Sequence, residues 1–257
     1  MFNTRPFLAL VLVASYASAA VLNFGANGLK KKAPGDVVTQ CTVPGTVALT
    51  FDDGPYIWET DIVDSLNAAG AKGTFFVNGN NWACIYEDSM VSRLQYAYGA
   101  GHQIASHTWA HLHLPTLDAA SLNTQFFLVE DAIHKITGAY PAFTRPPYGE
   151  YNQLVQDVAA SRGQTLVNWD FDNGDTAGLS GAQSLDSYRA RIADHPSTIL
   201  TLNHEINPST PQIVPEVIAQ LQAAGYTLVT LAECLGEAPY QYVDEPQPRD
   251  STWTCAV

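Results

Sequence analysis

The sequence of 257 residues predicts an α/β protein folded as one nearly closed barrel, and three observations carry that prediction. Short apolar runs alternate with longer ones whose apolar residues recur at three and four, which marks strands and helices in turn. Strands separated by helices imply a parallel sheet under helical cover. The polar residues best suited to chemistry then fall just past the ends of several different strands. A barrel brings such residues to one face, whereas an open sheet gathers them at one switch point.

The elements follow in order. TVALTF (46–51) reads as the first strand, and the run from Trp58 as a helix stopped by Gly70. GTFFVNG (73–79) is the second strand, EDSMVSRLQYAYGAG (87–101) a helix, and HQIASH (102–107) the third strand. LDAASLNTQFFLVEDAIHKITG (117–138) is the longest helix. AFTRPP (142–147) precedes a helix from Asn152 to Ser161, TLVNWDF (165–171) is a strand, and a helix surrounds SYRARIADH (187–195). STILTLNH (197–204), QIVPEVIAQLQAAG (212–225) and YTLVTL (226–231) complete the series, with no internal repeat. The stretch at 236–253 is Pro-rich and acidic and reads as a surface tail, tethered if Cys255 is bridged.

Arg5, the apolar run PFLALVLVASYA and the small residues Ala17–Ala19 form a secretory signal over residues 1–19. That run is shorter than the roughly 20 residues a membrane span needs, so the mature chain from Ala20 is expected to be soluble, secreted and free of the membrane. Composition is ordinary for a globular domain, 46% hydrophobic and 14% charged. The net charge of -13 excludes a nucleic-acid binder, whose partner's phosphates need a positive surface. Cys41, Cys84, Cys234 and Cys255 include no CxxC pair, which argues against a cysteine zinc site and for two disulfides. Four cysteines leave three pairings open.

Asp52 and Asp53 close an apolar strand side by side, although like charges repel and Asp is a poor strand residue. An acidic turn is the bland alternative, since Asp-Gly and Gly-Pro follow. The doublet gains a purpose from SHTWAH, which spaces His107 and His111 four apart, one helical face if the segment is helical. With Asp53 they make a two-His, one-carboxylate metal site, and Asp52, left free beside the metal, becomes a general base.

TFDDGP (50–55), HTWAH (107–111), RPPYG (145–149) and TLNH (201–204), in this order and spacing, resemble the polysaccharide deacetylases of carbohydrate esterase family 4, secreted fungal chitin deacetylases above all. The likeness spans Cys41 to Gly236, which makes 41–236 the catalytic domain, 20–40 a lead segment and 237–257 a C-terminal tail. It implies a distorted (β/α)7–8 barrel, single domain, and a divalent metal: zinc, or cobalt or another ion in its place. Carried over by position, Asp53, His107 and His111 resemble the metal ligands, Asp52 the catalytic base and Arg145 the residue that holds that base. The backbone N–H of Tyr148 resembles an oxyanion donor, Leu202 a wall of the acetyl pocket, and His204 the acid that protonates the leaving amine. Asp172 resembles the carboxylate that supports His204. Thr176 stands where the family pattern has tryptophan. The resemblance also implies the disulfides Cys41–Cys234 and Cys84–Cys255.

Trp82, in the loop after the second strand, reads equally as a sugar-stacking platform and as a core residue; Trp58, Trp109 and Trp169 read as core. His102, His113, His134 and His195 read as structural or exposed, and Asp170 and Asp175 as loop carboxylates. The expected activity is removal of acetyl groups from N-acetylglucosamine residues of chitin or chitooligosaccharides by a monomer, with a bell-shaped pH profile because base and acid need opposite protonation states. Peptidoglycan deacetylase and acetylxylan esterase are the rivals within the family. A non-catalytic carbohydrate-binding relic would have lost a ligand or the base, and none is missing. A non-haem iron oxygenase would leave Asp52, Arg145 and His204 without work.

Overall fold

The structure, a computed structural model, describes Met1 and residues 33–256, so the signal segment lies outside the described residues. Its centre is a curled sheet with parallel pairing throughout. The strands run β1 (Val37–Val38), β2 (Thr46–Gly54), β3 (Gly73–Val77), β4 (Gln103–Ser106), then β5 (Ala139–Pro141), β6 (Phe143–Thr144), β7 (Thr165–Val167), β8 (Phe171–Asp172), β9 (Ile199–His204), β10 (Thr227–Leu228) and β11 (Tyr240–Val243). In space the order is β1-β7-β6-β4-β3-β2-β9-β8, with β10 on the start of β2 and a separate antiparallel pair of β5 and β11. Among the described residues β1 and β8 do not pair, so the sheet is a half-barrel open on one side.

Among the described residues seven helices cover it: α1 (Glu59–Ala68), α2 (Asp88–Gly99), α3 (Ala119–Thr137), α4 (Gln153–Ser161), α5 (Gly181–Ala193), α6 (Thr210–Ala223) and α7 (Leu231–Leu235). Strand parity decides what each residue meets. Val47, Leu49 and Phe51 of β2, Phe75 of β3, Ile104 of β4 and Ile199 of β9 join one core with residues of α1, α2, α3, α5 and α6. Their neighbours Ala48, Phe76, Ala105, Phe143, Val167 and Leu200 form the second, interior cluster. Successive side chains alternate across a strand. Asp52 therefore shares its face with Ala48, Arg145 with Phe143, His107 with Ala105, and His204 with Leu200. The interior of the half-barrel is apolar at one end, and the same rows turn polar where the strands finish.

Several boundaries differ from the sequence reading, each for a local reason. Val37 and Val38 pair with Leu166 and Val167, so the sheet begins inside the stretch read as a lead. The run 165–171 splits into β7 and β8, because the Asn168 carbonyl leaves the ladder to accept from Arg145. Helix α5 starts at Gly181, ahead of the run read as helix, behind a capping box of Ser180 and Gln183. Thr230 and Glu233 form a second box that turns the end of YTLVTL into α7. Tyr240–Val243 of the expected tail is a strand against β5. Disulfides join Cys41 to Cys234 and Cys84 to Cys255, the latter fastening the chain end to the loop after β3.

Candidate active site

Asp52 ends the inward row of β2 and is 2% exposed. One carboxylate oxygen accepts from Arg145 Nη1 at 2.8 Å, and the same nitrogen donates to Thr50 Oγ1 at 2.6 Å. Arg145 is fully buried, with its other nitrogens donating to the carbonyls of Val167, Asn168 and Thr201. Its guanidinium lies 4.2 Å from the centroid of the Phe76 ring. A planar fork held at so many points cannot swing, so it fixes the Asp52 carboxylate in turn. Burial pushes the Asp52 carboxyl above its usual range, against the opposing pull of Arg145 and His204.

Asp53 holds a left-handed φ of 73°, costly for a residue with a side chain, which breaks the alternation of β2 and turns it into the same cleft as Asp52. Its carboxylate lies 3.7 Å from His107 Nε2 and 3.3 Å from His111 Nε2. The three offer ligand atoms within 4.8 Å of one another. The two histidines do not lie on a helix: the segment after β4 is a loop in which Thr108 and His111 take φ of 66° and 53°. Asn78 Nδ2 donates to the carbonyls of His107 and Thr108, and the Trp109 N–H donates to the Gln125 carbonyl, which brace that loop. His107 Nδ1 sits 2.7 Å from the Arg145 carbonyl, which fixes its N–H on that side and leaves Nε2 free as a ligand. Burial, the largest influence, pushes the His107 imidazole down to about 3 and keeps it neutral. Two imidazole nitrogens and a carboxylate converging on one point fit a divalent metal ion.

His204 closes β9 in register with Asp52 across the parallel pair. The carboxylate that supports it is Asp175, not Asp172. Asp175 Oδ1 lies 2.7 Å from His204 Nδ1, and Oδ2 accepts the His204 backbone N–H at 2.7 Å. Asp172 is exposed at the end of β8, and its Oδ1 accepts from the Gly174 N–H in a tight turn. Gly174, at φ of 75°, lets that turn reverse and drop Asp175 beneath the imidazole. Burial acts to lower the His204 pKa but is outweighed by the Asp175 hydrogen bond and the charges of Asp175, Asp52 and Asp53, which together raise it to about 9.

These groups share one cleft of about 420 Å³, walled by Trp82, Pro146, Tyr148, Trp169, Leu202 and Ile206. Trp82 is 58% exposed and Tyr148 55%, so both stand at the open side of the cleft. Among the described residues, three of the five non-glycine positions with positive φ (Asp53, His111 and Tyr148) line this cleft and a fourth, Thr108, adjoins His107; the fifth is His195. Strain gathered at one place is a mark of a functional site.

The sequence pattern of polysaccharide deacetylases matches residues 39–167, half of the chain. The chain belongs to the polysaccharide deacetylase family. A chitin deacetylase of Pestalotiopsis sp. is 38% identical over 212 residues, 79% of this chain and 68% of that protein. A chitin deacetylase of Colletotrichum lindemuthianum is 34% identical over 213 residues, 80% of this chain and 85% of its own. The solved structure of the chitin deacetylase from that fungus superposes with a TM-score of 0.78 at 30% identity, covering 83% of this chain and 97% of the other. In this deacetylase, sequence reasoning passed over three residues. Trp169 reads as core yet lines the cleft, because the strand breaks at its neighbour Asn168. Ile206 lies just beyond a strand end, where periodicity carries no signal. Asp175 reads as a loop carboxylate, although it directly follows the turn-forming pair Asn173-Gly174 and closes the Asp-x-x-Asp spacing that begins at Asp172.

Proposed function

We propose that this protein is a secreted, zinc-dependent deacetylase of N-acetylglucosamine residues in chitin or chitooligosaccharides. The observation that carries the reading is the convergence, in one cleft, of a buried carboxylate gripped by arginine, an Asp-His-His donor set and a histidine raised to about 9. Asp53, His107 and His111 would hold the ion, which when bound supplies a Lewis acid for the acetyl carbonyl and lowers the pKa of water. Asp52 takes the proton of the attacking water, steered by Arg145. The oxygen adds to the acetamide carbon, and the Tyr148 N–H donates to the oxyanion that develops there. His204 gives its proton to the nitrogen as the C–N bond breaks, leaving acetate and a free amine. A protonated His204 is required, since an amide anion does not leave, and Asp175 keeps that proton in place at neutral pH. Leu202 borders the acetyl methyl, and Trp82 offers a face for a sugar ring.

Secretion accords with two disulfides and with the absence, among the described residues, of any helix long and apolar enough to cross a membrane. In this reading residues 1–19 are the secretion signal, 41–236 the catalytic domain preceded by the lead of 20–40, and 237–257 the tethered tail; the enzyme acts as a monomer. The test is acetate release from N-acetylchitotetraose by the protein as purified, after chelation, and after zinc is returned. Release abolished by chelation and restored by zinc is the expected result. A folded, zinc-loaded protein that releases none from chitin oligomers, but does so from peptidoglycan or acetylated xylan, overturns the substrate. Release from none of the three overturns the activity.

A further inference from the structure

Beside the donor set stands a column of aromatic rings. Tyr148 packs edge-on against His111, centroids 4.6 Å apart. Its other neighbour is His113, stacked nearly parallel at 4.1 Å and 13°. His113 Nδ1 then meets Glu150 Oε2 at 2.9 Å. His113 is itself anchored from behind: its carbonyl accepts from both the N–H and the hydroxyl of Thr116, and the next residue, Leu114, is fully buried. Among the described residues Tyr148 has no such side-chain anchor; only its backbone is held, by the Gly149 N–H on the Pro146 carbonyl and the Glu150 N–H on the Pro147 carbonyl. Its ring is half exposed, and its backbone holds φ of 59° and ψ of 8°, a left-handed state that a tyrosine does not choose unaided.

We propose that His113 is a positioning residue for the deacetylation, stacking on the Tyr148 ring so that the Tyr148 N–H stays in its left-handed setting beside the reacting carbonyl. The inference rests on the proposed activity. Only χ1, χ2 and φ separate ring from amide, so a ring clamped between His111 and His113 narrows the settings open to the amide. Without the outer clamp Tyr148 relaxes toward a right-handed or extended backbone, and its N–H turns from the oxyanion. That donor matters only as charge develops on oxygen, so its loss lowers kcat and leaves KM nearly unchanged. The hydrogen bond to Glu150 is exposed and contributes little by itself. What matters is the ring.

The experiment compares His113→Ala, His113→Asn and His113→Phe with wild type, all zinc-loaded, on N-acetylchitotetraose. Each variant is also followed by zinc content, thermal midpoint and the 1H–15N resonance of the Tyr148 amide without substrate. His113→Ala and His113→Asn are expected to lose about three- to tenfold in kcat, the size of an aromatic pair's contribution. Their KM, zinc content and thermal midpoint stay at wild-type values while the Tyr148 amide resonance moves. His113→Phe, which restores a ring but not the bond to Glu150, returns both kcat and resonance. The proposal is overturned if His113→Ala or His113→Asn keeps wild-type kcat, if His113→Phe rescues nothing, or if the lost activity tracks lost zinc. Wild-type protein that releases no acetate overturns the activity and the proposal with it; an active wild type with an insensitive His113→Ala overturns the proposal alone.

Discussion

Asp52 and His204 are register partners on the adjacent strands β2 and β9, yet the two sides of the cleft are held by different means. The side of the proposed base is built from strand ends. Asp52, Arg145 and Thr50 all lie on inward rows, and the arginine that grips Asp52 bonds to the carbonyls of three further residues. The side of the proposed acid is built from a loop. His204 is on a strand, but the carboxylate that governs it arrives from a turn between β8 and α5, held by Asn173, Asn207 and Thr210. Parity positions the first group and turn chemistry the second. The first is therefore fixed to within one strand register, while the second can choose any carboxylate that its turn brings round.

The largest effect that could break this contrast is at Asp52. Asp52→Asn keeps the shape and removes the base, so kcat is expected to fall by about 10²–10⁴. It also leaves the fully buried Arg145 without its anionic partner, and breaking a buried pair costs on the order of 3–5 kcal/mol. Urea unfolding together with zinc content separates the two effects: a folded, zinc-bound, nearly inactive protein is expected. A variant that keeps wild-type turnover would put the base elsewhere.

The next effect sharpens the acid side. The charge of Asp175 helps to hold the His204 pKa near 9, so the alkaline limb of kcat should sit close to that value. Asp175→Asn removes the charge, favours the neutral imidazole, and is expected to move the limb down by about 1–3 on the pH scale. Asp172→Asn should leave the limb where it is, because that carboxylate accepts from the Gly174 N–H while the His204 ring is bonded to Asp175. A limb that follows Asp172 rather than Asp175 would return the supporting role to the residue which the family pattern indicates.

The same contrast explains how much of the molecule is legible in its sequence. Alternation along TVALTF places Asp52 inward without further information, and the strand ends carrying His107, Arg145 and His204 follow from the same period of two. The alternating pattern also foretold the parallel α/β sheet. What periodicity does not encode is a backbone that leaves its regular path. His107 and His111 share the separation of a helical pair, yet left-handed turns at Thr108 and His111 bring them together, not a helix. The break at Asn168 depends on a hydrogen bond to Arg145, a residue 23 positions away. His113 offered nothing as a lone histidine; its ring gains meaning only against that of Tyr148. The start of α5 and the whole of α7 are a simpler case, since their capping boxes stand in the sequence as Ser180–Gln183 and Thr230–Glu233.

The smallest effect on turnover lies at the seam between the two sides. Glu205 follows His204, its N–H donates to the Asp52 carbonyl, and its carboxyl fills the space that a side chain on Gly54 would need. Glu59, at the start of α1, is likewise fully buried, and neither carboxyl has a hydrogen-bond partner among the described residues. Burial raises Glu59 to about 8, and burial with the charge of Glu59 raises Glu205 well above the carboxylate range. The folded protein thus keeps a proton on Glu59 that the unfolded chain releases near 4.5. Stability conferred by that retained proton is present at acid pH and is lost as the pH rises from 4.5 towards 8. Glu59→Gln removes the ionisation, so its urea midpoint should decline less than that of wild type between pH 5 and pH 8. Across that interval the two proteins should diverge by on the order of 1.4 kcal/mol for every tenfold fall in proton concentration. Turnover at neutral pH should hardly change, because Glu59 does not line the cleft. Equal slopes in the two proteins would mean that Glu59 ionises normally. A lost alkaline limb would mean that the seam belongs to the acid side after all.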